Sequence, residues 1–98
     1  MGQFNKIYSI VSKIPKGKVM TYKQIAELAY VKNPRFVGFA LHRNKDIIKV
    51  PCHRVIKSDG TLALGYAFGG MKKQKEKLEN EGIVFTSNRI DLKRFIFN

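Results

Sequence analysis

Ninety-eight residues carry 19 Lys and Arg against 7 Asp and Glu, a formal charge of +12, with 44% hydrophobic residues, one Cys and no Trp. The length suits one small domain, and a single thiol excludes a disulfide framework or a multi-thiolate zinc site. The apolar fraction is too high for a disordered basic tail, and no apolar run approaches the roughly 18 residues of a membrane span.

Phe4, Ile7, Tyr8, Val11 and Ile14 recur at helical spacing, which predicts an amphipathic helix over about Gln3–Lys13, ended by Pro15 and Gly17. Lys18-Val19-Met20 reads as a short strand or extended link. Thr21 is an N-cap for a helix from Tyr22 to about Tyr30, with Ile25, Leu28 and Ala29 as its buried face. Lys32-Asn33-Pro34 is a turn and restart, Asn33 capping and Pro34 opening a helix that runs to about Arg43. Asn44 to Lys49 reads as loop, and Val50-Pro51-Cys52-His53-Arg54 as extended chain. Val55-Ile56 and Thr61-Leu62 form a hairpin about the Asp59-Gly60 turn. Gly65 to Gly70 is a Gly/aromatic loop, and Met71 to Asn80 a largely solvated helix anchored by Leu78 and ended by a left-handed Gly82. Ile83-Val84-Phe85 reads as a strand and Ile90 to Phe97 as a terminal strand or helix. The fold class expected is mainly α with short β elements, one domain over 1–98 built on a helix-turn-helix, winged-helix-like unit.

Residues 1–49 hold ten Lys and Arg and two acids (Glu27, Asp46), whereas 50–98 hold nine and five. A basic excess of this size favours a polyanionic partner over a merely soluble surface, and its first-half bias points to the helix pair. The stretch Met1 to Lys18 lacks a signal-peptide core, so a cytoplasmic protein, or one in the nucleoid or nucleus with its DNA, is expected.

Cys52 is the sole thiol and is followed directly by His53. A lone Cys is usually an inert core residue, but this one sits between a Pro and a His-Arg pair. An imidazole takes the thiol proton directly or through water, and adjacent residues on extended chain face opposite ways, which favours the water. The imidazole needs an acceptor to hold its tautomer, and Asp59 and Glu81 are the candidates.

Pro51-Cys52-His53-Arg54-Val55 resembles the active-site signature of the O6-alkylguanine-DNA alkyltransferases, the methylated-DNA–protein-cysteine methyltransferases. The stretch Ile14-Pro15-Lys16-Gly17-Lys18-Val19-Met20-Thr21-Tyr22 resembles that family's entry to the helix-turn-helix, and Arg35-Phe36-Val37-Gly38-Phe39-Ala40 its recognition helix. Asn44, Gly65-Tyr66, Gly69-Gly70 and Glu81-Gly82 follow in the family's order.

The resemblance implies single-use DNA repair of double-stranded DNA containing O6-alkylguanine. Cys52 displaces the alkyl group, His53 accepts its proton through water, Glu81 orients the imidazole, and Tyr22 protonates the departing guanine. The target nucleotide is flipped out of the duplex. Arg35 fills its place, while Gly38 and Ala40 keep the recognition helix thin for the minor groove and Thr21 lies at the same DNA surface. Asn44 braces the hinge, and Tyr66 with Leu41 shapes the base pocket. Arg54 is structural in the signature and stands outside the catalytic set. No metal, cofactor or membrane is implied, and a monomer is expected, without the amino-terminal companion domain of many relatives; whether a separate subunit takes that domain's place is open in the sequence. Two departures stand out: Lys45 replaces the usual Pro after the hinge Asn, which would loosen that turn, and the Tyr66 loop is one residue longer than usual. Alkyltransferase-like proteins, which bind alkylated DNA but usually carry Trp or another residue in place of the Cys, are the rival reading. A helix-turn-helix regulator leaves Pro-Cys-His-Arg without a role, and a Cys hydrolase lacks a recognisable oxyanion site.

Overall fold

In the computed structural model, which describes residues 2–63, 66 and 69–98, the chain is mainly helical with four two-residue strands. Helix α1 spans Gly2–Ser12, strand β1 Met20–Thr21, α2 Tyr22–Leu28 and α3 Pro34–His42. A 3-10 turn at Cys52–Arg54 runs into β2, Val55–Ile56. Helix α4, Gly70–Asn80, is followed by β3 at Phe85–Thr86, β4 at Arg89–Ile90 and α5 at Leu92–Phe95.

Both predicted helix starts are present. Thr21 Oγ1 accepts from Gln24 N at 3.0 Å while Gln24 Oε1 accepts from Thr21 N at 2.9 Å, a complete capping box. Asn33 Oδ1 accepts from Arg35 N at 2.9 Å, with Pro34 at the first helical position. Helices α2 and α3 pack against each other more extensively than any other pair, as a helix-turn-helix requires. Helix α2 stops earlier than its periodicity predicts. Ala29 caps it and Tyr30 turns into the left-handed region at φ 57°. Leu28, expected inside, is 55% exposed, and Ala26 takes the buried position instead.

The expected hairpin about Asp59-Gly60 is not a paired ladder. Its turn closes as foreseen, with Gly60 N donating to Lys57 O and Lys57 N to Thr61 O. Val55-Ile56, however, pairs in parallel with Met20-Thr21, the crossover being α2 and α3. Gly60 has φ +86° and an added Cβ would lie 2.6 Å from Ile90 O, so this turn docks tightly on β4. The antiparallel hairpin lies later, β3 with β4, joined by Ser87 and Asn88 at φ 51° and 63°. Two consecutive left-handed residues match the right-handed twist of such a pair. The terminal segment is both helix and extended chain: after α5, Val19 N donates to Phe95 O and Phe97 N to Val19 O.

Two apolar clusters meet across β1 and β2. Met20 and Val55 face a cluster with Ile7, Val11, Ile25, Val37 and Cys52, whereas Val19 and Ile56 face Leu62, Leu78, Ile83, Ile90 and Phe95. The two-residue period of extended chain explains this division, since neighbours point to opposite faces. The Cys52 turn therefore stands at the junction of both clusters.

Candidate active site

Cys52 and His53 are not on extended chain. They form the 3-10 turn, both buried, at 6% and 7% exposure. Three neighbours hold the turn. Asn44, itself buried, donates from Nδ2 to Val50 O at 2.9 Å and accepts from Asp46 N at 3.1 Å, bracing the hinge between α3 and the turn. Beyond Lys45 the turn is closed by hydrogen bonds: Asp46 Oδ1 accepts from Ile48 N and Lys49 N, and its carbonyl accepts from Val50 N. From α4, buried Gln74 donates to His53 O at 2.9 Å and Val55 O at 3.2 Å, fixing the backbone on the other side.

Of the two acids open to His53, Glu81 is the partner. His53 Nε2 lies 2.9 Å from Glu81 Oε2. Asp59 is exposed and bonded to Thr61 at N and Oγ1 instead. Arg54 grips the same carboxylate on both oxygens, Nε to Oε1 at 2.9 Å and Nη2 to Oε2 at 2.6 Å, and its Nη1 donates to Ile14 O at 2.8 Å. This fork joins the segment just after α1, the turn and the end of α4, at Glu81, the C-cap. Glu81 is brought there by the helix end. Gly82 N donates to Glu79 O and Ile83 N to Leu78 O, with Gly82 left-handed at φ 95° as expected.

The electrostatics follow from this geometry. Burial raises the Glu81 carboxyl, but the bonds and charges of Arg54 and His53 outweigh it and hold its pKa below the usual carboxylate value. Burial pushes the His53 imidazole down more than Glu81 pulls it up. We read His53 as a neutral donor, because the charge of Glu81 is already matched by the Arg54 fork. Nε2–H then points at Glu81 and Nδ1, buried and without a hydrogen-bond partner among the described residues, keeps its lone pair. Cys52 is pushed up by burial, against the lowering effect of nearby Asn44 and the charge of Lys77. The arrangement is a buried thiol that needs a base, beside an imidazole held in the tautomer that can act as one.

An open groove of about 1010 Å³ runs along α2 and α3, and Tyr22, Arg35 and Gly38 line it with Lys23, Lys32 and Lys57. Cys52 is not on its wall. Tyr22 links groove and thiol: it lines the first, and its phenol is held above its ordinary pKa by burial and then by the Cys52 charge. Of the other expected DNA contacts, Ala40 is completely buried and Thr21 nearly so, with its hydroxyl in the capping box. Neither offers a side chain to the groove, since both belong to the packing beneath it. Leu41 is a core residue of the Cys52 cluster, and Tyr66 packs against that cluster. Gly65, Ala67 and Phe68 lie outside the described residues. Arg54, Gln74 and Lys77 were not singled out as site residues. Arg54 alone carried a signal, its place directly after the Cys-His pair.

Comparison with known proteins shows the family. The model of the 6-O-methylguanine DNA methyltransferase DNA-binding domain matches residues 3–83, and the chain belongs to that family. A bifunctional methyltransferase/endonuclease of Picrophilus torridus is 43% identical over 96 residues, covering 97% of this chain and 32% of that protein. A methylated-DNA–protein-cysteine methyltransferase of Saccharolobus solfataricus is 46% identical over 77 residues, covering 79% of this chain and 48% of that protein. The chain thus spans about a third to a half of the curated relatives it matches. Among solved structures, S. pombe Atl1 in complex with damaged DNA containing O6-carboxymethylguanine superposes with a TM-score of 0.86 at 32% identity, covering 98% of this chain and 94% of that one. The O6-methylguanine-DNA methyltransferase of the hyperthermophilic archaeon Pyrococcus kodakaraensis gives 0.71 at 37% identity, covering 82% and 46%.

Proposed function

We propose that this protein repairs DNA by moving the alkyl group of an O6-alkylguanine onto Cys52, once per molecule. The observation that carries this reading is the Cys52-His53-Glu81 sequence of groups, with Nδ1 of the imidazole free to accept a proton. The step balances simply. The Cys52 proton passes through a water to His53 Nδ1, the sulfur forms a bond to the alkyl carbon, and the bond from that carbon to guanine O6 breaks. The electron pair leaves on the guanine, the Tyr22 phenol supplies a proton to its ring, and solvent returns a proton to the phenolate while His53 gives up the one it took. The thioether is not regenerated, so the protein is consumed.

Double-stranded DNA is the partner, held along the groove of α2 and α3 by Lys23, Lys32, Arg35 and Lys57. Gly38 keeps the face of α3 low against the minor groove, and Arg35 takes the place of the flipped nucleotide. Asn44, Leu41 and Tyr66 shape and brace the pocket that receives it. A second reading, a sensor that binds the lesion without reacting, is favoured by the near-complete overlap with Atl1. The thiol at position 52 argues for transfer. Incubation with duplex DNA bearing O6-methylguanine, followed by intact mass, separates them: a gain of one methyl supports transfer, and tight lesion binding with unchanged mass supports the sensor.

A further inference from the structure

Four lysines lie on α4: Lys72 and Lys73 are exposed, Lys75 reaches Asn88 and the Phe85 ring, and Lys77 turns to Tyr66. It is only partly exposed, its Nζ donates to Tyr66 Oη at 2.9 Å, and it sits 5.4 Å from the centroid of that ring. Tyr66 in turn packs against the cluster that contains Cys52. Lys77 stands four residues before Glu81, so one helix and its cap present both the carboxylate that holds His53 and an ammonium bonded to Tyr66.

The groups around the sulfur come from every neighbouring element. Tyr8 of α1, Tyr22 of α2 and Tyr66 each feel the Cys52 charge, and Asn44 on the hinge favours the thiolate. The tyrosines are neutral near pH 7, and the Arg54 fork is matched by Glu81. Lys77, bonded to the ring that packs against the Cys52 cluster, brings a positive charge that favours the thiolate and disfavours the charged form of the His53 imidazole.

We infer that Lys77 is a positioning residue of the transfer site: its ammonium fastens the Tyr66 ring against the Cys52 cluster and supplies the positive charge that the buried sulfur needs in order to ionise. The assignment rests on the transfer reading above and adds to it a residue that acts before DNA is bound.

The test is the pH profile of Cys52 capture by iodoacetamide, followed by intact mass. Lys77→Met should move the midpoint to higher pH and slow capture at pH 7.5 about threefold, the effect of half a unit on the thiolate fraction. Lys77→Arg should restore the wild-type profile, and Tyr66→Phe, which removes the anchoring oxygen, should move it upward by less. A Lys77→Met profile that superimposes on the wild type, or Lys77→Arg as slow as Lys77→Met, overturns the charge role. An unmoved Tyr66→Phe profile overturns the fastening. Because iodoacetamide needs no DNA, a wild-type protein that takes no methyl from lesion DNA would count against the transfer reading alone.

Discussion

His53 Nε2 and Glu81 Oε2 stand 2.9 Å apart, 28 residues distant in the chain, at the end of α4 where a left-handed Gly82 turns the backbone away. The same oxygen receives Arg54 Nη2, so the carboxylate is both neutralised and fixed before it meets the imidazole. Nδ1 of the His53 ring is left buried and without a hydrogen-bond partner among the described residues, the nitrogen to which the proposed mechanism delivers the thiol proton.

Glu81→Gln should separate chemistry from binding. The amide no longer matches the Arg54 charge or holds the imidazole tautomer, so transfer should slow by about 10²-fold, the lower end of what a positioned acid–base group contributes. Lesion-DNA affinity should change little, because Glu81 is at the turn and not on the groove. Single-turnover rates beside fluorescence anisotropy check this, and equal losses in both would contradict it.

Acid should destabilise the fold in two stages. His53 has a folded pKa below its ordinary 6.5, so the unfolded chain binds the proton more readily, and stability declines as pH falls from 6.5 through the lower folded value. The folded Glu81 pKa lies below its ordinary 4.5, so its contribution is complete above 4.5 and disappears as pH falls through the folded value. Urea unfolding at pH 7.5, 5.5, 4 and 2.5 measures both stages. In His53→Asn the decline between 7.5 and 5.5 should flatten, and an unchanged slope there would show that His53 is not buried neutral.

The helix pair, its two caps and the order of the site were legible in the sequence because each rests on neighbours: Thr21 with Gln24, Asn33 with Arg35, Cys52 with His53. What was not legible depends on distant contacts. Val55-Ile56 abandons the nearby Thr61-Leu62 for Met20-Thr21, because that pairing buries Val55 and Ile56 in the two separate clusters. Ala40 faces inward, its carbonyl accepting from Tyr8 Oη at 2.6 Å, a contact spanning 32 residues. Arg54 looks structural in a linear motif, and only the return of α4 shows what it grips.

Arg35→Ala should distinguish flipping from binding. Arg35 lines the groove at the first turn of α3, and its proposed work is to fill the stack left by the nucleotide. Repair of O6-methylguanine in duplex should fall about tenfold, an unstacking cost of a kcal/mol or more no longer being offset, with a much smaller loss in single strands. Equal losses on both substrates would leave Arg35 as a phosphate contact only.

Salt should report the remaining groove cations. Lys23, Lys32 and Lys57 line the same face, so duplex affinity should fall steeply with salt, and Lys32→Ala should reduce the magnitude of the log–log slope by about one. A slope unchanged in that variant would move the DNA off this face.

The most direct measurement of the central claim is stoichiometry under excess substrate. With duplex carrying O6-methylguanine at several times the protein concentration, transferred methyl should plateau at one per chain, peptide mapping should place it on Cys52, and Cys52→Ser should transfer none while still binding the lesion. Continued turnover beyond one methyl, methyl on another residue, or lesion binding with no transfer by the wild-type chain would contradict the account.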